Sequence, residues 1–214
     1  NFPCKYGFYI SLFLTLSLLS YGYYNYQHPK TEVFNIVINK QTVHNEQPLK
    51  VVSVSDVHLG YGTDKKELKQ YVEMINAQKP DLILASGDML SGDREEGDAI
   101  AVALLSRLSD LAPVCFVNGN HEMCVERHQP ERYQKFMDDL KNGGVQVLHN
   151  ETAWFWIDGE KVAVTGYELP WEYYRRFSRR HPSVVGMERS IGKRKQDAYQ
   201  ILLTHNPVFF EEYT

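Results

Sequence analysis

The chain has 214 residues, of which 43% are hydrophobic and 23% are charged, and its formal net charge is -4. This length suits one globular domain with a short appendage, and the weakly acidic balance argues against a broad nucleic-acid-binding face, so no specific nucleic acid is expected as a partner. The three cysteines lack paired spacing, which excludes a disulfide framework and a zinc ribbon.

The N-terminal segment predicts a transmembrane anchor over residues 1–27. No charged residue occurs between Lys5 and Lys30. The apolar run over residues 8–24 approaches the ~20 residues that cross a bilayer, and aromatic residues cluster at both of its ends. A cleaved signal peptide and a buried core helix are the alternatives. We expect a single-pass protein of the cell membrane with its globular domain on the extracytoplasmic side, although the two flanking lysines specify the orientation weakly.

Residues 28–49 are predicted as a lead-in, in which residues 32–40 alternate between polar and apolar and indicate an edge strand. From residue 50 to residue 214 the pattern predicts one domain of alternating elements. Strands are predicted at 50–55, 81–86, 113–117, 145–148, 153–157, 161–166 and 199–204, of which 81–86 and 199–204 are expected to be buried, and amphipathic helices at 64–78, 98–110 and 130–142. Asp158-Gly159 predicts a hairpin turn. This alternation is typical of a layered α/β fold with a parallel sheet.

Four of the predicted strands run directly into side chains that can bind metal ions or transfer protons. Each of these side chains alone has an ordinary structural explanation, such as a turn, a helix N-cap or a core histidine. The carboxyl ends of parallel strands, however, meet at one edge of a sheet, so the side chains are expected to converge there. In chain order they are Asp56, His58, Asp88, Asn120, His121, Glu122 and His205.

This donor set predicts a centre for two divalent metal ions. A carboxylate can bridge two cations about 3.5–4 Å apart and offset their repulsion, and Asp88 is the natural bridge because its strand is central. Asp56 and His58 are expected to hold one ion, and Asn120 and His205 the other. The set contains no thiolate, which favours manganese, iron or zinc over copper(I) or iron–sulfur chemistry.

In this order the residues resemble the signature of the calcineurin-like metallophosphoesterase family: D-x-H, G-D, G-N-H-[E/D], a lone His and then G-H-x-H. The first four parts correspond to residues 56–58, 87–88, 119–122 and His205. With its N-terminal segment, the chain looks similar to the membrane-associated bacterial branch of such phosphohydrolases. The resemblance implies a β-sandwich-like α/β core with flanking helices, which the single transmembrane helix precedes.

The resemblance also implies a reaction, the hydrolysis of a phosphomonoester or phosphodiester. A hydroxide that bridges the two metals would attack phosphorus, and His121, which is not a ligand in that family, would protonate the leaving oxygen. A lipid-linked phosphoester would suit a membrane-anchored enzyme. The alternative is a catalytically silent, metal-stabilised module that binds a partner at the membrane.

Two departures from the family pattern matter. The closing G-H-x-H does not occur in the 214 residues, so the chain is interpreted as truncated at its C terminus and is expected to hold metal poorly. The family often has G-D-x-x-D, whose second aspartate orients the catalytic histidine, and here Ser91 occupies that position. Glu122 and Asp93 are the candidates to replace it.

Overall fold

The computed structural model describes residues 4–38, 47–60, 65–92, 94–174, 184–193 and 197–206. The chain divides into two compact units, Asn1–Lys40 and Gln41–Thr214. The first unit contains one helix, α1 (Cys4–Gln27), followed by chain without regular structure as far as residue 38. The two units are described separately below.

The first unit differs from its prediction in two respects. Within the described ranges, no helix is both long and apolar enough to cross a bilayer. The predicted transmembrane anchor is therefore not supported, because the tyrosine, serine and threonine side chains of α1 dilute its apolar character. The predicted edge strand over 32–40 is wrong for residues 32–38, which form no strand. A strand requires a hydrogen-bonded neighbour, and alternation in sequence does not supply one.

The second unit is built on a parallel sheet whose strands follow chain order. It comprises β1 (Val51–Val54), β2 (Leu82–Ala85), β3 (Val114–Phe116) and β4 (Gln146–Val147), in the order β1-β2-β3-β4. Every neighbouring pair is parallel. Parallel strands need a long crossover, and the intervening helices provide it. The predicted parallel sheet is confirmed.

Four helices accompany this sheet: α2 (Lys65–Gln78), α3 (Glu96–Ser109), α4 (Asn120–His128) and α5 (Pro130–Asn142). Three of them confirm predicted helices. α4 was foreseen only as a possible helix start, and it begins directly at the residues of the third ligand motif. Proline opens α5, where its fixed φ and missing N–H cost nothing.

A second, smaller sheet has the order β5-β6-β7 and comprises β5 (Thr152–Ile157), β6 (Glu160–Gly166) and β7 (Tyr199–Leu203). β5 and β6 are antiparallel, whereas β6 and β7 are parallel. Asp158 and Gly159 join β5 to β6 with φ values of 50° and 84°. Positive φ at both central residues is the requirement of a type I′ hairpin turn, which the Asp-Gly pair predicted. A 3-10 helix (Trp171–Tyr174) and α6 (Val184–Ile191) lie between β6 and β7 along the chain.

The hydrophobic core shows how the layers are arranged around β2. All four residues of β2 are buried, and neighbouring strand residues point to opposite faces. Ile83 and Ala85 belong to the cluster formed with the helices, whereas Leu82 and Leu84 join residues of the smaller sheet. The parallel sheet is thus covered by helices on one face and by the second sheet on the other. The mixed α/β fold with flanking helices is confirmed.

Candidate metal centre

The loops that follow β1 and β2 run side by side beyond the strand ends. The N–H of Asp56 donates to the carbonyl of Gly87 at 3.1 Å, and the N–H of His58 donates to the carbonyl of Asp88 at 3.1 Å. Asp56, His58 and Asp88 have φ values of 55°, 48° and 51°. Non-glycine residues in this region cost about 1–3 kcal/mol each and persist only where the surroundings enforce them. Here the hydrogen bonds between the two loops hold three candidate ligands in this left-handed conformation.

Asp88 lies at the centre of the site and is only 2% exposed. Its Oδ2 is 3.8 Å from Nε2 of His58, 3.9 Å from Nε2 of His121 and 3.6 Å from Nε2 of His205. These separations exceed a hydrogen bond but stay within the ~4 Å that two metal–ligand bonds of about 2.0–2.1 Å can span. The spacing therefore fits oxygen and nitrogen atoms that share a cation.

Hydrogen bonds to backbone carbonyls hold two of these imidazoles in a ligand-ready orientation. Nδ1 of His205 lies 2.7 Å from the carbonyl oxygen of Ser86, and Nδ1 of His58 lies 3.3 Å from that of Leu90. An Nδ1–H that donates to a carbonyl leaves the Nε2 lone pair for a metal. In that tautomer, Nε2 of His205 faces Oδ1 of Asn120 at 3.3 Å. Two acceptors at this distance are favourable with a cation between them, so the donor set fits a metal ion.

The ligand atoms fall into two groups, each with all atoms within 4.8 Å of one another. Asp88 is common to both, which is what a bridging carboxylate requires. The predicted pairs are also close, with Nε2 of His58 3.9 Å from Oδ1 of Asp56 and Nε2 of His205 3.3 Å from Oδ1 of Asn120, so the predicted partition stays a prediction. The groups are His58, Asp88 and His121, and Asp56, Asp88 and His205.

All of the sequence-predicted ligands thus lie close together beyond the ends of β1 and β2, together with His121, although His205 follows β7 of the second sheet and not, as predicted, a strand of the parallel sheet. The ring of His121 meets that of His58 edge-on, with centroids 4.6 Å apart, and the backbone N–H of His121 donates to Oδ1 of Asp88 at 2.8 Å. Asp56 is the most exposed member and accepts a hydrogen bond from Ser55 Oγ. The individual roles of these residues, including proton donation by His121, stay predictions.

Glu122 is fully buried and ties two loops together. Its Oε2 accepts hydrogen bonds from the N–H groups of Asp88 and Gly119, both at 2.8 Å, and its Oε1 accepts one from Leu90 at 2.9 Å. Burial raises the pKa of Glu122 and the charge of Asp88 acts in the same direction, whereas the three N–H donors oppose them. These bonds do not reach the His121 side chain. Instead of orienting that ring directly, as predicted, Glu122 braces the loops after β2 and β3.

Ser91 does not substitute for the second aspartate of the family pattern. It is buried, and its Oγ donates to the carbonyl of Leu59 at 2.6 Å. The hydroxyl is therefore used to hold the β1 and β2 loops together. Asp93, the other candidate replacement, lies outside the described residues.

The sequence interpretation missed a histidine–glutamate pair beside the site. Glu168 accepts a hydrogen bond from the N–H of Asn118 at 3.0 Å and lies 3.1 Å from Nδ1 of His149. The pair thereby connects the chain after β6 to the loop that leads into α4. The hydrogen bond to Glu168 raises the pKa of His149, although partial burial opposes the shift. No local pattern could reveal this contact, since 50 residues separate Asn118 from Glu168.

The pair gives the fold a pH-dependent contribution to stability. Because the pKa of His149 is raised in the folded state, this contribution is fully present below the unfolded-state pKa of about 6.5 and is lost as the pH rises through the folded-state pKa. We expect His149→Gln to lower the free energy of unfolding by about 1 kcal/mol at about pH 6, and by less at about pH 9. Urea denaturation at both pH values measures this difference. An equal loss of unfolding free energy at both pH values would contradict this expectation.

Comparison with known proteins agrees with the geometry. Residues 49–214 match the family model described as calcineurin-like phosphoesterase. An uncharacterized metallophosphoesterase of Helicobacter pylori is 26% identical over 206 residues, which are 95% of this chain and 49% of that protein. A bovine protein (Bos taurus) named as a transmembrane protein with metallophosphoesterase domain is 31% identical over 105 residues, 49% of this chain and 22% of that protein.

Phosphodiesterase YaeI of Escherichia coli is 28% identical over 109 residues, which are 51% of this chain and 39% of that protein. The chain thus spans about half or less of the length of these three relatives. The family match, by contrast, covers the second unit almost completely. The chain belongs to the calcineurin-like phosphoesterase family.

Proposed function

We propose that this protein hydrolyses a phosphoester, and a phosphodiester in particular, with a pair of divalent cations. The observation that supports this most strongly is the position of Asp88, a buried carboxylate common to both groups of ligand atoms. With Asp56, His58, Asn120 and His205 it makes five donor residues, more than one four-coordinate cation needs. The name of the Escherichia coli relative favours a diester over a monoester.

The ligand assignment keeps the predicted pairs. Asp56 and His58, whose ligand atoms lie 3.9 Å apart, would hold one cation, and Asn120 and His205, 3.3 Å apart, would hold the other, with Asp88 between the two. The oxygen and imidazole donors favour manganese, iron or zinc. When bound, such cations supply Lewis-acid charge for the phosphoryl oxygens and lower the pKa of water.

His121 is the residue that the chain itself provides for proton transfer. Its side chain is 37% exposed, whereas Asp88 beside it is almost inaccessible. The Nε2 atom of His121 therefore lies where both solvent and a substrate can reach it, 3.9 Å from Oδ2 of Asp88. A proton held at this atom would pass to the leaving oxygen as the ester bond breaks.

Membrane attachment through α1 is part of the proposal. Large apolar side chains are exposed along this helix within its own unit, among them Phe8, Phe13 and Leu18. The bovine relative, named as a transmembrane protein, lends support. A lipid-linked phosphodiester is the substrate class that suits such attachment, and the extracytoplasmic location stays a prediction.

Turnover of bis-p-nitrophenyl phosphate tests the proposed function. We expect hydrolysis with manganese that a chelator abolishes. His121→Ala should lower kcat by about 10²–10⁴-fold, the usual contribution of a general acid, while metal content measured by mass spectrometry stays unchanged. His128→Ala is the matched control, because His128 is an exposed histidine of the same helix whose ring lies 2.8 Å from the carbonyl oxygen of Cys124, one turn before it.

Two outcomes would contradict the proposal. Loss of metal from the His121→Ala protein would make His121 a ligand instead of an acid. A wild-type protein that binds manganese and is inert towards mono- and diesters would favour the silent binding module, to which the use of Ser91 in a structural hydrogen bond already lends some weight.

A further inference from the structure

The imidazole of His121 lies against a glycine in the loop that carries the altered family motif. Gly92 has a φ of +71°, and a Cβ atom placed on it would lie 3.0 Å from Nδ1 of His121. Glycine is thus required here both by the left-handed backbone and by the space that the ring occupies. The side of Gly92 on which a side chain would stand therefore faces this imidazole, and the ring of His58 meets the imidazole edge-on.

Arg132 of α5 fixes the backbone of this loop. Its Nη1 donates to the carbonyl of Gly92 at 2.8 Å, and its Nη2 donates to the carbonyl of Arg94 at 3.0 Å. One arginine side chain therefore holds the loop at two carbonyls, one of which belongs to Gly92. A further hydrogen bond runs from Nη1 to Oε1 of Gln129 at 3.2 Å.

Asp98 of α3 fixes the guanidinium in turn. The Nε and Nη2 atoms of Arg132 donate to the two carboxylate oxygens of Asp98 at 2.6 and 2.7 Å. The side chains are only 9% and 17% exposed, so solvent and salt screen this pair weakly. Bidentate geometry of this kind sets direction as well as distance, and lysine cannot reproduce it.

We infer that Arg132, held by Asp98, is a positioning residue that acts through Gly92 to orient His121 for proton transfer. This inference rests on the proposed function, and it accounts for the absence of an aspartate at position 91. The support reaches the histidine through backbone instead of through a carboxylate.

Arg132→Lys tests the inference, because it keeps the positive charge and removes the forked donors. We expect kcat to fall about 10–100-fold, as small misplacements of catalytic groups do, with KM and metal content unchanged. The loss should be larger for diphenyl phosphate than for bis-p-nitrophenyl phosphate, since the poorer leaving group depends more on general-acid help. A protein that is merely less stable would lose both activities in equal proportion.

Lys135→Gln is the matched control. It breaks an ion pair with Asp139 on the same helix, at 2.6 Å, and it removes a positive charge that also interacts with Asp98, but it leaves the hydrogen bonds of Arg132 to the loop and to Asp98 in place. We expect wild-type kinetics from it. Gly92→Ala is the second variant, because it should reproduce the leaving-group effect with the Arg132–Asp98 pair intact. Gly92→Ala also provides a test of the inference if the Arg132→Lys protein does not fold.

The histidine side-chain resonances in long-range ¹H–¹⁵N spectra separate this inference from the proposed function. The His121 imidazole signals should shift or broaden in Arg132→Lys and stay in place in Lys135→Gln, whether or not the protein turns over a given ester. Unmoved signals in Arg132→Lys, equal loss on both substrates or wild-type kcat would each overturn the inference. An inert wild-type protein with perturbed His121 signals in the variant would overturn the proposed function alone.

Discussion

Replacing Asp88 with asparagine is expected to lower kcat/KM by about 10³-fold or more and to remove the stabilisation that divalent metal confers. Asparagine keeps the shape of the side chain, and its Oδ1 can still accept the 2.8 Å hydrogen bond from the N–H of His121. It lacks the charge that offsets two cations. The metal ions contribute several kcal/mol of charge stabilisation to the transition state. Because about 1.4 kcal/mol corresponds to a factor of ten in rate, losing this stabilisation accounts for the expected fall in kcat/KM.

The same substitution should not destabilise the metal-free protein. Asp88 and Glu122 are both buried, at 2% and 0% exposure, and the charge of Asp88 disfavours ionisation of Glu122. Removing one of the two charges relieves that repulsion. Asp88→Asn should therefore melt at or above the wild-type temperature in chelator, and below it in excess manganese.

Thermal unfolding with and without manganese measures both effects in one experiment. Asp138→Asn is the control, because Asp138 is an exposed aspartate of α5 that pairs with Gln134. It should respond to metal as the wild type does. A metal-induced rise in Tm that survives in Asp88→Asn would show that Asp88 is not a ligand.

Glu122→Ala is expected to cost a large part of the stability of the fold. It leaves three amide donors of the loops after β2 and β3, those of Asp88, Leu90 and Gly119, without their acceptor. An unsatisfied buried donor costs about 1–3 kcal/mol, and a typical domain has only about 5–15 kcal/mol in total. The cavity left by the side chain adds to the loss.

Glu122→Gln separates hydrogen bonding from packing in this prediction. Glutamine has nearly the same shape, but it offers one acceptor oxygen for three donors and directs its own NH₂ at an N–H. We expect a substantial loss of stability from it as well, measured by urea denaturation of the metal-free protein. Glu131→Gln, on the exposed side of α5, should have little effect. A Glu122→Gln protein as stable as the wild type would refute the bracing role.

The sequence could predict the candidate ligands because the relevant signal is local. Each ligand follows a short apolar strand within a few residues, so the rule that parallel strands end at one edge was enough to bring Asp56 and Asp88 together. His205 follows β7 of the second sheet, and the packing of the two sheets places it beside Asp88. The strands and three of the four helices beside the parallel sheet followed from periodicity in the same way. The alternation of polar and apolar residues over 32–38 led to a wrong strand prediction, because a strand also needs a neighbouring strand to pair with.

The supporting contacts lay beyond any local pattern. Arg132 lies 40 residues from Gly92 in the chain and Glu168 lies 50 residues from Asn118. Nothing in the neighbourhood of either residue indicates its partner. Glu122 had a partial signal, since a glutamate three residues after a helix N-cap often reaches back to the cap N–H, as it does to Gly119. Its two further bonds to the β2 loop depend on how the strands are ordered.

The amino-acid sequence by itself determined which residues can bind metal and at which strand ends they stand, because side-chain chemistry and the hydrophobic period are properties of neighbouring residues. Only the tertiary structure decided that His205 reaches Asp88 from the second sheet, that Glu122 serves three backbone donors and that Arg132 reaches the loop beside His121. Those relations are distances between segments remote in the chain. They arise when the helices and both sheets pack around β2 and close the loops over one edge.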